Sequence, residues 1–371
     1  MNATAPKRES FRRKLRTPAL ILLGLVVLDV GVWLTRDTWE RYSPDDYAER
    51  LHGCRREPRD FVFIGGSPVS EGLDPEILTG TEWQGQILRS GYSMGLPGAT
   101  TSETYHAAIH GCVSPPKLIV YGITASDIND GRNEPHGPAS LMTWNDLGIW
   151  WKLRPKSREW GTRHFLQARL SRVWSLFRYR HGIRMWAAIT ADSYFPGCCP
   201  DATREARELR DYSDSLRTGT GYAPAAGFVD RRWDEVKRLH ATTPPFGFLD
   251  KYKTGTHLNY LHRLLDWAEA NGTTVVLLDM PTTADLDAKY ADAFTEYRQR
   301  LAEVEATRRV TVLRANRDAV GLTDADFADL IHLNRVGTKK LTTWLRDRLV
   351  TVPATPRDSA AHAQVAGEVR P

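Results

Sequence analysis

The sequence feature that most constrains the fold is a series of five short apolar runs separated by stretches with helical periodicity. Short runs rich in Val, Ile, Leu and Phe are typical of buried strands. Because strands that alternate with helices form parallel sheets covered on both faces, the pattern predicts an α/β fold, a flavodoxin-like three-layer sandwich with a five-stranded parallel sheet. The predicted strands lie at residues 61–65, 86–92, 117–122, 273–279 and 310–314.

The alternation is interrupted between the third and fourth strands by residues 131–255, a long insertion that is predicted to be mostly helical. Six of the twelve tryptophans lie there between Trp144 and Trp186, interleaved with arginines. This mixture fits a membrane interface, an anionic glycan or a membrane partner. It fits equally well a helical insert whose tryptophans pack on the main domain while its arginines stay solvated. The other predicted helices lie at residues 101–110, 257–270, 285–307 and 336–349.

The N-terminus has the pattern of a membrane anchor. Six lysines and arginines between Lys7 and Arg16 precede an apolar run from Pro18 to Leu34, which is interrupted only by Asp29. A basic flank of this kind stays in the cytoplasm, and no small-x-small cleavage motif follows, so an uncleaved anchor is favoured over a cleaved signal or a buried helix. We expect a cytoplasmic segment at residues 1–17, a transmembrane helix at 18–35, an extracytoplasmic domain at 36–350 and a disordered tail at 351–371.

Composition and cysteine usage agree with an extracytoplasmic folded protein. Charged residues make up 26% of the chain and hydrophobic ones 41%, and the net charge of +5 comes partly from the basic N-terminus, which argues against a nucleic-acid partner. Cys54 and Cys112 precede predicted neighbouring strands, so a disulfide between them is geometrically reasonable in an oxidising compartment. Cys198 and Cys199 either form a vicinal disulfide or stay free. No cysteine spacing indicates zinc, and we expect no metal or cofactor.

Two motifs at the ends of predicted strands suit nucleophilic chemistry. Ser67 follows two glycines in a strand-to-helix turn, which presents a side chain at the carboxyl edge of a parallel sheet. Asp329 precedes His332 by three residues, so its carboxylate can bond the imidazole Nδ1 and leave Nε2 free to accept a proton. Each motif alone is weak evidence. Because Ser67, Gly95, Thr124 and His332 all fall at carboxyl ends of predicted strands, we expect them to converge on one site.

With these residues the chain resembles the SGNH, or GDSL-like, hydrolase superfamily over roughly residues 59–130 and 256–349. Ile-Gly-Gly-Ser at 64–67 matches the nucleophile motif, with Gly66 where an acidic residue is commoner. The aspartate and histidine at 329 and 332 match the final motif completely. The resemblance implies that Ser67 attacks an ester carbonyl, that His332 accepts its proton and that Asp329 stabilises the imidazolium.

The resemblance also implies an oxyanion hole. Ser-Met-Gly-Leu-Pro-Gly at 93–98 looks like the second motif, so the N–H groups of Ser67 and Gly95 would bind the oxyanion. The third motif departs from the usual Gly-x-Asn-Asp, and a gapless alignment from Gly122 puts Thr124 at the asparagine as the third donor. Asn129 and Asp130 could take the place of the asparagine and aspartate of this motif only if the loop doubled back.

An N-terminal anchor with a long central insertion is similar to the extracytoplasmic proteins that work beside membrane-bound O-acyltransferases, in D-alanine transfer to teichoic acid and in alginate O-acetylation. The sequences at 122–127 and 278–281 look more like this branch than like secreted lipases. The resemblance implies a serine O-acyltransferase or carbohydrate esterase of the cytoplasmic membrane. Its partners would be a cell-envelope glycan, an acyl donor and a membrane-bound O-acyltransferase. Two alternatives stay open: a non-catalytic partner that uses the fold as a scaffold, and a lipase or small-ester hydrolase.

Overall fold

A computed structural model describes residues 8–40, 42, 46–131, 151, 162–163, 165–167, 169–171, 173–222, 246–308 and 310–352. The predicted disordered tail lies outside the described residues from 353 onward, as do residues 132–150, 152–161 and 223–245 of the predicted insertion. The chain divides into two compact units. One comprises residues 1–44 and 163–213, and the other comprises residues 45–162 and 214–371.

The second unit is built on a five-stranded parallel sheet. Its strands are β1 (Phe61–Gly65), β2 (Gly91–Gly95), β3 (Leu118–Ile123), β4 (Thr274–Asp279) and β5 (Thr311–Arg314). They lie side by side in the order β2-β1-β3-β4-β5. The prediction of an α/β fold with a five-stranded parallel sheet is therefore confirmed. The strand order is that of a doubly wound sheet, and it reverses direction at the switch point between β1 and β3.

The second strand begins later than the sequence predicted. The structure places it at Gly91–Gly95, whereas Gln86–Ile87 pairs in an antiparallel manner with Glu82–Trp83 in a two-stranded ribbon. Gln84 and Gly85 both have positive φ, 54° and 70°, which is the backbone of a tight hairpin turn. The apolar residues that indicated a strand from residue 86 therefore belong partly to this hairpin.

Helices occupy the connections and the N-terminus. Tyr290, with φ −120° and ψ 38°, breaks the single helix predicted at 285–307 into two. The helices are α1 (Arg8–Leu34), α2 (Arg36–Glu40), α3 (Asp46–Arg55), α4 (Ser67–Gly72), α5 (Pro75–Leu78), α6 (Thr101–Gly111), α7 (Ser175–Arg178), α8 (Arg180–Tyr194), α9 (Pro200–Thr218), α10 (Thr256–Ala270), α11 (Ala284–Lys289), α12 (Ala291–Thr307), α13 (Arg317–Val320) and α14 (Arg335–Leu349). Short 3₁₀ turns lie at Gly247–Lys251 and Asp324–Asp326.

The sheet is buried on both faces. Along β1, Val62 and Ile64 point into one apolar core and Phe61 and Phe63 into another, because successive side chains of a strand alternate between faces. The first core takes in residues of α6, α10 and α12, and the second takes in residues of α4, α5 and α14. Strands covered on both sides read as continuous apolar runs, which is why the sequence revealed them.

The outer edge of β2 is covered by the chain near residue 220. Ser93 N–H donates a 2.7 Å hydrogen bond to the Thr220 carbonyl, and Tyr92 Oη donates to the Leu216 carbonyl at 2.7 Å. The fully buried Arg50 guanidinium donates to the carbonyls of Ser93, at 3.1 Å, and Gly221. These bonds satisfy the backbone groups that an edge strand would otherwise leave open to another strand.

The first unit contains α1, which is the predicted membrane segment. Its stretch from Arg16 to Leu34 is 19 residues long, and no residue of that stretch is buried. At about 1.5 Å of rise per residue it is long enough to cross the roughly 30 Å apolar layer of a bilayer. The structure therefore contains an N-terminal helix that is long and apolar enough to span a membrane, while the direction of insertion stays a prediction.

Candidate active site

The carboxyl end of β1 leads directly into the turn that carries Ser67. Gly65 has φ +147°, and a Cβ atom there would overlap the carbonyl oxygen of Gly122, so only glycine fits. Gly66 is the N-cap of α4, which begins at Ser67 with Pro68 in its first turn, where the missing N–H costs nothing. Ser67 thus stands at a helix N-terminus on the carboxyl edge of the sheet, as the sequence predicted.

Three glycines fix the position of α4. Gly65 is in register with Gly95 on one side and with Gly122 on the other, and we call these three residues the glycine row. A Cβ atom on Gly95 would overlap the backbone nitrogen of Ser70, and one on Gly122 would overlap the Val69 side chain. Helix α4 therefore rests directly on the ends of three neighbouring strands, and the direction in which Ser67 points follows from that contact.

The loop before α14 brings Asp329 and His332 to the same edge. Asp329 Oδ1 accepts hydrogen bonds from the backbone N–H groups of Ile331, at 2.9 Å, and His332, at 2.8 Å. Asp329 Oδ2 lies 2.6 Å from His332 Nδ1, and His332 Nε2 lies 2.8 Å from Ser67 Oγ. The three residues that the sequence predicted as nucleophile, base and orienting acid thus form one continuous hydrogen-bonded relay.

The charges in the relay favour an ionised aspartate. Burial raises the pKa of Asp329, but hydrogen bonds from His332 and Ile331 and the His332 charge outweigh it, so the pKa lies below 3.8. Burial lowers the pKa of His332, but the hydrogen bond and charge of Asp329 outweigh it and the charge of Glu71 adds to them, so that pKa lies above 6.5. With Nδ1–H bonded to Asp329, neutral His332 presents the Nε2 lone pair to the Ser67 hydroxyl.

Glu71 is a member of the site that the sequence did not reveal. Its Oε2 lies 3.9 Å from His332 Nε2, its side chain is 18% exposed, and this oxygen has no hydrogen-bond partner among the described residues. Burial raises the pKa of Glu71 above 4.5. The available signal was its spacing, because Ser67 and Glu71 are four residues apart in one helix and so share a face.

Two backbone N–H groups suit an oxyanion hole. Ser67 is the first residue of α4, so its N–H has no intrahelical acceptor. The Leu96 N–H donates to the Gly65 carbonyl at 2.8 Å. Because alternate residues of a parallel strand bond to opposite neighbours, the Gly95 N–H points away from β1, on the same side as that of Ser93.

Thr124 and the residues after it are held by other contacts. The Thr124 N–H donates to Asp127 Oδ2 at 2.6 Å, and its hydroxyl donates to the same oxygen at 2.8 Å. A third oxyanion donor at Thr124 therefore requires that Asp127 move off it. Asn129 Oδ1 accepts from the N–H groups of Gly131 and Lys253, and the Asp130 carboxylate accepts from the first N–H groups of α10. The side chains of Asn129 and Asp130 are therefore occupied by hydrogen bonds to the start of α10 and to the backbone just before it.

The cysteines of the second unit lie away from this edge, at the opposite ends of the strands. Cys54 in α3 and Cys112 after α6 are free thiols whose Sγ atoms are 3.3 Å apart. In the first unit, Cys198 and Cys199 are also free, with Sγ atoms 3.4 Å apart. Among the described residues no group of three or more His, Cys, Asp or Glu side chains is placed to hold a metal ion.

The fold and the site together define a class: a doubly wound α/β protein whose sheet carries a Ser–His–Asp relay at its carboxyl edge. A scan against models of known protein families finds no match for this chain. A search of curated proteins finds no significant relative. The resemblance to the SGNH superfamily therefore rests on the sequence motifs alone.

Proposed function

We propose that the chain is a membrane-anchored, SGNH-type serine acyltransferase or esterase that adds or removes an O-acyl group on a cell-envelope polysaccharide. The observation that carries the proposal is the relay from Asp329 through His332 to Ser67, with distances of 2.6 and 2.8 Å. Nucleophile, base and orienting acid within hydrogen-bond distance of one another are the arrangement that acyl transfer through a serine ester requires.

In the first half-reaction Ser67 Oγ attacks the carbonyl carbon of an ester while its proton passes to His332 Nε2. The ionised Asp329 stabilises the imidazolium that forms. The N–H groups of Ser67 and Gly95 bind the negative charge that develops on the carbonyl oxygen, a contribution of about 3 kcal/mol per donor in comparable sites. The tetrahedral intermediate then expels the alcohol, which takes the proton from Nε2, and the acyl group remains as an ester on Ser67.

In the second half-reaction His332 Nε2 accepts a proton from the incoming hydroxyl group. The resulting oxygen nucleophile attacks the acyl-serine, and His332 returns the proton to Ser67 Oγ as the ester bond breaks. Water as the acceptor gives net hydrolysis, and a sugar hydroxyl gives transfer. The relay serves both outcomes equally, so the acceptor that reaches the site decides between esterase and transferase.

The polysaccharide substrate and the acyltransferase partner follow from the resemblance and from α1. An enzyme anchored by a helix of this kind acts on molecules that stay near the membrane, and surface glycans of the cell envelope meet that condition. The resemblance adds a membrane-bound O-acyltransferase as the source of activated acyl groups. In the first alternative, the chain is a non-catalytic scaffold, and Ser67 would not need to be a reactive nucleophile.

Fluorophosphonate labelling of the full-length protein in detergent, followed by peptide mass spectrometry, tests the proposal. We expect a covalent adduct on Ser67 that is lost in Ser67→Ala and His332→Ala. Ser70→Ala is the matched control, because Ser70 lies one turn further along α4 and its hydroxyl donates to the Ser67 carbonyl, at 3.1 Å, rather than to His332. Absence of an adduct on correctly folded protein would favour the scaffold.

A second measurement separates the remaining alternatives. Purified protein is given a soluble aryl ester with and without a surface polysaccharide, and acyl groups on the polysaccharide are counted by mass spectrometry. Rapid ester turnover without the polysaccharide would favour a small-ester hydrolase. Polysaccharide O-acylation in cells that persists with Ser67→Ala would rule out the proposed catalytic role.

A further inference from the structure

The apolar stretch of α1 from Arg16 to Leu34 contains one carboxylate, Asp29, and that carboxylate binds a second segment of the first unit. Asp29 precedes Leu34 by five residues, which is about 8 Å of helix axis at roughly 1.5 Å per residue. Its Oδ1 accepts a 2.7 Å hydrogen bond from the backbone N–H of Leu176. A carboxylate at this depth is costly in a membrane unless it is paired. Leu176 therefore lies at the depth of Asp29, below the end of the anchor.

The residues just before Leu176 have apolar side chains that are exposed among the described residues of the first unit. Leu166, Leu170 and Val173 follow a helical spacing of four and three residues and are 56, 40 and 79% exposed; we call them the apolar face. Arg169 lies on the same side with its guanidinium 4.8 Å from the Phe165 ring, and its long stem allows the charge to reach a polar layer.

Aromatic and basic residues mark the level at which this segment leaves the apolar layer. The rings of Trp39, just beyond α1, and Trp186, in α8, are in edge contact with centroids 5.3 Å apart. From the Asp29–Leu176 contact to this ring pair, both segments run in the same direction along the chain. Along the chain, Arg178, Arg180 and Arg184 lie between Leu176 and Trp186. Tryptophan and arginine at one level are typical of the headgroup region of a bilayer.

We propose that the segment carrying the apolar face is a second membrane-embedded element, which lies in the apolar layer beside α1. Leu166, Leu170 and Val173 lie among the acyl chains, and the arginines of α7 and α8 contact phospholipid headgroups. The occupant of the apolar face is lipid because that face continues the exposed apolar surface of α1 at the same depth. The proposal requires that α1 spans the membrane, which is part of the proposed function, but it does not depend on the chemistry of Ser67.

Spin labelling of the full chain in phospholipid nanodiscs tests the proposal. p-Acetylphenylalanine is introduced at Val173 and labelled with a hydroxylamine nitroxide, which leaves all four cysteines unchanged. Collision of the label with oxygen, which concentrates in lipid, is compared with collision with a water-soluble nickel complex. A label at Leu25 in α1 gives the lipid reference, and a label at Ile87, which is 52% exposed on the second unit, gives the aqueous reference.

We expect the Val173 label to give an oxygen-to-nickel collision ratio close to that at Leu25. A ratio close to that at Ile87 would overturn the proposal and place the apolar face in water. Protection from both agents would also overturn it, because the face would then be covered by protein, either a second copy or a contact within the chain. An aqueous collision ratio at Leu25 would show that α1 does not span the membrane, and it would overturn the proposal together with the anchor.

Substitutions of Asp29 provide a matched pair for the contact with Leu176. Asp29→Asn keeps an oxygen acceptor and should leave the Val173 ratio unchanged. Asp29→Leu removes the acceptor, and we expect the Val173 ratio to shift toward the aqueous reference while the Leu25 ratio stays that of lipid. A Val173 ratio that is identical in both variants would show that the Asp29–Leu176 bond does not hold the segment at this depth.

Discussion

Glu71 Oε2 and His332 Nε2 lie 3.9 Å apart, and Nε2 is the same atom that faces Ser67 Oγ. A negative charge at this distance favours the imidazolium, so Glu71 acts with Asp329 to raise the pKa of His332. The site therefore holds two carboxylates with different roles. Asp329 orients the ring through Nδ1, whereas Glu71 adjusts how readily Nε2 gives up its proton.

The proposed base predicts how activity depends on pH. Because only neutral His332 accepts a proton, and its pKa lies above 6.5, kcat/KM for a soluble ester should rise with pH through a midpoint above 6.5. Glu71→Gln removes a charge that raises this pKa, so the midpoint should move to lower pH. Glu76→Gln, which changes an exposed residue of α5, should leave it in place. A midpoint that is identical in wild type and Glu71→Gln would contradict the role given to Glu71.

Asp329→Asn should leave the fold intact and slow the chemistry. An amide in place of the carboxylate no longer fixes Nδ1–H, so the wrong tautomer of His332 is populated and the rate should fall by about 10³ to 10⁴-fold, as in related triads. The measurement is the second-order rate of fluorophosphonate labelling. Asp324→Asn, a change at an exposed ion pair with Arg317, serves as the control. A decrease of less than tenfold in the labelling rate would contradict the catalytic role proposed for Asp329.

The glycine row predicts that one added methyl group displaces the nucleophile. In Gly95→Ala the new Cβ overlaps backbone of α4, so we expect a loss of about 1–3 kcal/mol in the free energy of unfolding, together with slower labelling of Ser67. Gly72→Ala is the matched control within α4. Its Cβ would lie 3.4 Å from the flexible end of Met280, and it should stay within about 1 kcal/mol of wild type. Equal behaviour of the two variants in thermal unfolding and labelling would contradict this account.

The two thiols near the start of the strands report on the compartment. Cys54 and Cys112 Sγ atoms are 3.3 Å apart, and hydrogen bonding from Cys54 lowers the pKa of Cys112, which makes it the better nucleophile of the pair. Protein exported across the membrane should therefore contain this disulfide, detectable as a linked peptide under non-reducing conditions. Closing a loop of this length would stabilise the fold by about 4 kcal/mol in the chain-entropy model. Free thiols in protein from the membrane fraction would argue against the predicted topology.

The parts of the site that the sequence predicted share a local origin. Asp329 and His332 lie on one loop, and Ser67 follows a strand whose residues are all buried, so short-range patterns were sufficient to find them. Glu71 was missed because a glutamate in a short helix is ordinarily solvated. Nothing in the sequence shows that α4 packs directly against the sheet. Thr124 was chosen by a gapless count, which could not show that Asp127 would bind its N–H.

Other differences come from contacts between distant residues. The start of β2 at Gly91 depends on the hairpin at Gln84 and Gly85, where a non-glycine residue adopts positive φ that no propensity would assign to it. The hydrogen bond between Asp29 and Leu176 joins residues far apart in the chain, and a reading of the tryptophan and arginine pattern alone left several explanations open. Sequence periodicity indicates which faces of the helices and strands are apolar, but it does not indicate which parts of the chain pack against those faces.

The glycine row also bears on how still the nucleophile can be. A contact made by side chains can loosen whenever one of them changes rotamer, whereas at Gly95 the strand backbone meets the backbone of Ser70, and neither has a rotamer to change. Thermal motion of α4 relative to the sheet then requires movement of whole strands, which their hydrogen-bonded neighbours on either side resist. In the proposed reaction, Ser67 would therefore keep its position relative to the sheet while the acyl donor leaves and the acceptor enters.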